Sequence, residues 1–129
     1  MDNLTAHEAK QYSPLSLAFL GDSVYELWVR EKLLREANMP PSKFSRSKVT
    51  YVCAEFQAEA SDKILPLLTE EETAVFKRGK NAKGISPPKH ATFLEYKKAT
   101  GLESLLGYLH LCGDNGRINE ILSFIWDNR

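Results

Sequence analysis

At residues 17–24 the sequence reads LAFLGDSV, an apolar helical pattern that is interrupted by a glycine and an aspartate. Ser13 and Pro14 predict where this helix begins, because serine caps helix N-termini and proline fits the first helical position. The apolar spacing then continues to about Glu36. A glycine inside a helix costs about 1 kcal/mol relative to alanine, and aspartate is a mediocre helix former. Because such breaches of local preference often mark functional positions, Asp22 is a candidate functional residue.

The rest of the chain also has the apolar spacing of helices, and no pattern predicts a pair of strands. Thr69 and Glu72 form a capping box, which predicts a helix start. The predicted segments are, in order, a helix over about 42–61, a short piece at 64–68, a helix over 69–79, a Gly/Pro loop at 80–89, a helix over about 91–111, a turn at 113–116 and a last amphipathic helix over about 118–126. The sequence therefore predicts an all-α fold, a single domain of about six to seven helices that spans residues 1–129.

Composition and charge exclude several classes of protein. The 129 residues suffice for one domain, and 17 basic and 17 acidic side chains leave no net charge. The share of hydrophobic residues, 43%, excludes a disordered or collagen-like chain. The balance of charges excludes a bulk polycation. No apolar run is long enough for a membrane span, and the N-terminus lacks the pattern of a signal peptide. We expect a cytoplasmic protein with free, buried thiols at Cys53 and Cys112 and no zinc site.

Basic residues are concentrated in one late segment of the chain. Residues 77–98 contain seven basic side chains and one acid, for a charge of +6. Most of this excess falls on a loop that cannot bury apolar surface, so the charges face water or a polyanion. Cationic side chains at phosphates release counterions and bind nucleic acid in a salt-sensitive way. A solvated loop that is basic by coincidence is an equally good interpretation of this segment alone.

Glu103 is a second acid inside an apolar helix. It lies within ATGLESLLGY at residues 99–108, where Gly107 would let another helix backbone approach closely. If this helix crosses the first one near Asp22, the two carboxylates form a site for Mg²⁺, or for Mn²⁺ in its place, because oxygen ligands suit these ions. With the basic segment, the pair suggests metal-assisted hydrolysis of phosphodiesters. From spacing alone, an exposed Asp22, or one that hydrogen-bonds a neighbouring helix, is the simpler interpretation.

Three blocks of sequence, in this order, resemble the ribonuclease III family. FLGDSV at 19–24 is similar to the signature helix of that family, and ATGLESLLGYL at 99–109 is similar to its second acidic helix. KRGKNAK at 77–83, followed by PKH at 88–90 and EY at 95–96, resembles one branch of the family. Members of that branch have the catalytic domain and no appended domain for binding double-stranded RNA.

The resemblance implies an all-helical endonuclease domain that cleaves double-stranded RNA with Mg²⁺, as a homodimer, and leaves 5′-phosphate ends. The branch implies maturation of the precursor of 23S ribosomal RNA, in the cytoplasm and without a membrane partner. Asp22 and Glu103 match the catalytic, metal-binding acids of the family. Two further acidic positions of the family map onto Ala18 and Thr100, so one firmly held Mg²⁺ ion is expected rather than two. Glu26 and Thr100 are taken as accessory residues. The residues expected to bind RNA are Lys77, Arg78, Lys80, Asn81, Lys83, Lys89 and His90.

Two other functions remain open at this point. The missing acids at Ala18 and Thr100 favour a catalytically weak or inactive module that binds double-stranded RNA on the same fold. The other alternative is a helical adaptor whose basic loop contacts acidic groups of a protein. Incubation of duplex RNA with and without Mg²⁺ separates a nuclease from a binding module, and the adaptor predicts no affinity for RNA.

Overall fold

The computed structural model describes residues 1–84, 86–87 and 89–129, and these residues form seven α-helices and no strand. The helices are α1 (Ala6–Lys10), α2 (Pro14–Glu36), α3 (Pro41–Val52), α4 (Ala54–Ile64), α5 (Glu70–Lys80), α6 (Phe93–Leu111) and α7 (Asn115–Asp127), with a 3-10 turn at Leu65–Leu67. The predicted all-α fold is therefore confirmed. Two residues of the predicted loop at 80–89, Ile85 and Pro88, lie outside the described residues. Pro88 is the first residue of the PKH block, so the structure describes only the other two residues of that block.

Local signals account for most of the helix starts. The capping box of Thr69 and Glu72 begins α5, as the sequence predicts. The short α1 has no counterpart among the predicted segments, although it begins with another capping box, formed by Thr5 and Glu8.

The prediction of one helix over residues 42–61 is wrong, because the chain interrupts it at Cys53. This residue is extended, with φ −70° and ψ 156°, so it ends α3 and begins α4. The side-chain nitrogen of Gln57 donates a hydrogen bond of 2.9 Å to the Val52 carbonyl oxygen, which the break leaves outside the helical ladder. The interruption leaves α3 without a fully buried residue, whereas α4 buries one face in the core.

The surface features agree only in part with the expectations. No helix in the described part of the chain is long and apolar enough to cross a membrane. Both cysteines are free thiols, but Cys53 is exposed at the helix break and Cys112 is half-buried. The expectation that both thiols are buried is therefore wrong.

Helix α6 lies at the centre of the bundle. Every residue from 99 to 109 is buried except Glu103, which is half-exposed. The helix packs on α2, α4 and α5. A helix that is apolar on all sides belongs in the interior of a protein. Within the buried stretch of α6, solvent reaches only the side chain of Glu103.

Two glycines allow α2 and α6 to touch along their backbones. A Cβ atom on Gly21 would lie 1.7 Å from the carbonyl oxygen of Glu103, and one on Gly107 would lie 2.0 Å from that of Leu17. Because real Cβ atoms essentially never come within 3.0 Å of such atoms, any other residue at either position would force the helices apart. The close approach expected at Gly107 is confirmed, and it sets Asp22, the neighbour of Gly21, beside Glu103.

Candidate active site

Asp22 and Glu103 line the same cleft, which has a volume of about 420 Å³. Its walls come from α2, from the break between α3 and α4, from α6 and from the loop residues Gly84 and Ser86. Asp22 is exposed and Glu103 is half-buried, so the pair opens to solvent on one side. The glycine contact between α2 and α6 thus brings together the two acids that the sequence singled out.

The two carboxyl groups interact directly. Burial, a hydrogen bond shared with Asp22 and the charge of Asp22 together raise the pKa of Glu103 to about 9. Two carboxyl groups this close cannot both ionise unless a proton or a cation lies between them. Without a cation, Glu103 therefore retains its proton at neutral pH.

The oxygen atoms of this cleft fit a hard divalent cation that keeps most of its water. Asp22 and Glu103 supply carboxylates, and the Thr100 hydroxyl still has lone pairs after it donates to the Tyr96 carbonyl oxygen at 2.8 Å. Ala18, one turn before Asp22, contributes only a methyl group. Within the described ranges no group of three or more His, Cys, Asp or Glu side chains could hold a metal ion. Because Mg²⁺ binds through one or two carboxylates and several waters, the pair fits one hydrated Mg²⁺ ion.

Glu26, expected as an accessory residue beside Asp22, lies outside the described lining of the acidic cleft. Its carboxylate forms salt bridges with Arg30, one turn later on α2, at 2.9 Å and with Lys48 of α3 at 3.2 Å. The Glu26 carboxylate is therefore paired with two cations of the protein itself. The spacing of four residues from Asp22 specifies a helix face, but it does not specify which neighbouring element packs on that face.

A second, basic cleft of about 560 Å³ adjoins the acidic one. Leu15 lines both clefts, and the loop that leaves the basic cleft after α5 reaches the acidic cleft at Gly84. Four of the predicted RNA-binding residues line the basic cleft: Lys77, Arg78, Asn81 and Lys83. More than half of the predicted RNA-binding residues therefore line a cleft that adjoins the one containing the acid pair.

The other three predicted RNA-binding residues are outside the described lining of both clefts. Lys80 is half-buried at the end of α5, and Lys89 and His90 are exposed in the turn before α6. Further along the basic segment, Lys98 pairs with Asp62 at 2.9 Å, which offsets one of its charges.

Gln57 is a cleft residue that the sequence patterns do not single out. It is 3% exposed, and its side-chain oxygen has no hydrogen-bond partner among the described residues. A signal was available, because residues 57, 61 and 64 have the spacing of the buried face of α4. A glutamine on a buried face needs partners for both ends of its amide.

Comparison with known protein families agrees with this site. The Ribonuclease III domain matches residues 15–114, a range that contains Asp22, Glu103 and the whole basic segment. The chain belongs to the ribonuclease III family, and it is an endoribonuclease of the kind that acts on double-stranded RNA.

Within that family, the chain is similar to the Mini-ribonuclease 3 proteins. It is 43% identical over 119 residues to Mini-ribonuclease 3 of Thermoanaerobacter sp. (strain X514), covering 92% of this chain and 84% of the relative. It is 46% identical over 119 residues to Mini-ribonuclease 3 of a Synechococcus strain, with the same coverage of 92% and 84%. A crystal structure of a Fusobacterium nucleatum protein shares the fold with a TM-score of 0.81 and 33% identity, over 91% of this chain and 93% of that one. The resemblance inferred from the three sequence blocks is thereby confirmed.

Proposed function

We propose that this chain hydrolyses phosphodiester bonds in both strands of double-stranded RNA with one Mg²⁺ ion held by Asp22 and Glu103. The products carry 5′-phosphate ends. The observation that supports this proposal most directly is the pairing of the two carboxyl groups, which are far apart in the sequence, in a cleft that adjoins a basic one.

The residues of the acidic cleft have separate tasks in this proposal. When bound, Mg²⁺, or Mn²⁺ in its place, activates water and offsets negative charge on a phosphoryl oxygen. Asp22 and Glu103 hold the ion. The Thr100 hydroxyl, oriented by its hydrogen bond to the Tyr96 carbonyl oxygen, is an accessory neutral oxygen beside them. Because Ala18 offers no carboxylate, the site has charge for one firmly held ion rather than two.

The basic cleft holds the RNA backbone. Lys77, Arg78 and Lys83 bind phosphates, and Asn81 contacts a phosphate or a 2′-hydroxyl group. The remaining predicted residues, Lys80, Lys89 and His90, would contact the RNA backbone beyond the described lining of this cleft. Duplex RNA is recognised mainly by shape, phosphates and 2′-hydroxyl groups. We therefore expect modest affinity, little base specificity and a steep loss of binding with salt.

Exposed apolar side chains on α2 support a homodimer in which each protomer cuts one strand. Phe19, at the edge of the acidic cleft, is 84% exposed, and Leu27 on the same helix is 67% exposed. Large apolar side chains left in water mark interaction surfaces. Light scattering during gel filtration should give the mass of a dimer, and Phe19→Asp should shift it towards the monomer. A wild-type chain that stays monomeric at every concentration would contradict this part of the proposal.

The proposed substrate is the precursor of 23S ribosomal RNA, processed in the cytoplasm. The support for this step is the similarity to the Mini-ribonuclease 3 proteins and the basic lining of the cleft that adjoins the acid pair. Depletion of the protein in its host should leave the ends of the large-subunit RNA unprocessed, and the purified chain should cut a transcript of the precursor stem. Normal ends after depletion would exclude this substrate.

Asp22→Asn tests the catalytic proposal. The amide keeps the shape of the side chain but removes its charge, so cleavage of duplex RNA should fall by about 100-fold or more, or about 3 kcal/mol. Binding of the same duplex should persist. Asp127→Asn, on α7 and outside the described lining of both clefts, is the matched control and should cleave normally.

The outcomes of this experiment also address the two alternatives. Cleavage retained by Asp22→Asn would remove Asp22 from the site. Binding without cleavage by the wild-type chain in Mg²⁺ would indicate the inactive RNA-binding module. No binding of duplex RNA would indicate the adaptor.

A further inference from the structure

Gln57 has an unusual hydrogen-bonding state for a side chain that is 3% exposed. Its Nε2 donates to the Val52 carbonyl oxygen at 2.9 Å. Its Oε1 is buried and, within the described part of the chain, is the only buried side-chain nitrogen or oxygen without a partner. Gln57 lines the same cleft as Asp22 and Glu103.

The orientation of this amide is fixed by its surroundings. Exchanging its two ends would place Oε1 against the Val52 carbonyl oxygen, and two acceptors would then face each other. The observed orientation therefore leaves Oε1 as an acceptor that needs a donor.

The functional groups of the cleft do not supply this donor. Asp22 and Glu103 are acceptors once they are ionised around a cation. The Thr100 hydroxyl already donates to the Tyr96 carbonyl oxygen at 2.8 Å. Ser86 and Tyr96 also line the cleft, and neither hydroxyl donates to Oε1. A bound group can therefore bring the donor, and the waters of a hydrated divalent cation are such donors.

We propose that Gln57 is a positioning residue whose Oε1 accepts a hydrogen bond from a water in the hydration shell of the divalent cation held by Asp22 and Glu103. This inference rests on the proposed function, because it requires that cation. Groups that bind the outer shell of a metal ion orient its ligands and contribute to its affinity. A neutral acceptor suits this site, since Ala18 and Thr100 leave only two charged ligands and Mg²⁺ then keeps several waters.

The test is a calorimetric titration of Mn²⁺ into the RNA-free protein, which reports cation affinity without catalysis. Gln57→Met keeps the length of the side chain and removes its oxygen, so the dissociation constant should rise about 10-fold or more. Gln57→Glu keeps an oxygen and loses the donor to Val52, so it should bind Mn²⁺ at least as tightly as the wild type. Gln57→Leu replaces the methionine variant should that variant not fold.

Ser61→Ala is the matched control on the same helix. Ser61 is fully buried one turn further along α4 and donates to the Ala58 carbonyl oxygen at 2.7 Å. Ser61 is not among the described lining residues of the acidic cleft. Replacing it removes a buried polar group from α4 without altering that cleft, so the affinity for Mn²⁺ should not change.

The possible results separate this inference from the function on which it rests. Unchanged Mn²⁺ affinity in Gln57→Met would overturn the inference. Equal weakening in Gln57→Met and Gln57→Glu would also overturn it, because the hydrogen bond to Val52 would then be what matters. A wild-type chain that binds Mn²⁺ no better than Asp22→Asn would instead refute the proposed metal site itself.

Discussion

Replacing Gly21 by alanine should disable the site without changing any side chain that faces the cleft. The new Cβ atom would lie 1.7 Å from the carbonyl oxygen of Glu103, 2.6 Å from its carbonyl carbon and 2.9 Å from the backbone nitrogen of Gly107. All three are backbone atoms, so no side-chain rotation can relieve the clash. To restore an ordinary contact of 3.4 Å, α2 and α6 would have to separate by about 1.7 Å at this point.

The expected magnitude follows from the position of this contact at the centre of the bundle. Overpacking commonly costs about 1–3 kcal/mol and occasionally more. Because two helix backbones collide here, we expect a loss of about 3 kcal/mol or more from the free energy of unfolding, a large share of the roughly 5–15 kcal/mol of a typical protein. Molecules that still fold would hold Asp22 and Glu103 too far apart. Since a misplacement of about 1 Å can cost about 100-fold in rate, cleavage should fall by at least that factor.

Urea unfolding followed by circular dichroism measures the stability of Gly21→Ala, and cleavage of a labelled RNA duplex measures its activity. Gly116→Ala is the matched control, because nothing lies within 4 Å of a Cβ atom at that helical position. That substitution should be neutral or stabilise the protein by up to about 1 kcal/mol, as glycine is a poor helix former. If Gly21→Ala unfolds and cleaves like the wild type, α2 and α6 do not cross at this glycine.

Two further predictions concern stability and RNA binding. The hydrogen bond from Arg117 holds the pKa of Glu72 below its ordinary value of 4.5, so the stabilisation is complete above that value and is lost as the pH falls through the lowered pKa. Glu72→Gln should therefore lower the free energy of unfolding by about 2–3 kcal/mol at pH 7, and this free energy should then depend less on pH in the acid range. An unchanged dependence on acid pH in urea unfolding would contradict the role given to the Arg117–Glu72 pair. The double variant Lys77→Ala with Lys83→Ala should lower the slope of log affinity for duplex RNA against log salt by about 2. Arg35→Ala is the control, because this residue lies about 30 Å away at the other end of α2, and it should leave that slope unchanged. If Arg35→Ala lowers the slope as much as the double variant does, the basic cleft has no special role in binding RNA.

Most of the helices were predicted from the sequence, but the short α1 and the break between α3 and α4 were missed. Capping boxes and apolar spacing act within a few residues, so they predict helix starts such as that of α5 from the sequence alone. The break at Cys53 has no such local signal, because no proline or glycine interrupts the apolar spacing there. The Val52 carbonyl oxygen at this break accepts a hydrogen bond from the side chain of Gln57, which lies on the buried face of the next helix.

The candidate site shows the same division. Asp22 and Glu103 were identifiable because each places a charge in an otherwise apolar helix beside glycine residues. For Glu26, helical spacing predicted the face shared with Asp22, but it could not reveal that Arg30 and Lys48 form salt bridges with its carboxylate.

The sequence by itself determined that this protein is all-α, that it belongs to the ribonuclease III family and which acids are unusual in it. Those properties depend on periodicity, capping and motifs, which extend over a few residues at a time. Only the tertiary structure decided which residues share a cleft, including Gln57. The physical reason is that the glycine contact between α2 and α6 joins segments far apart in the chain, and the mutual position of two helices depends on how closely their backbones can pack.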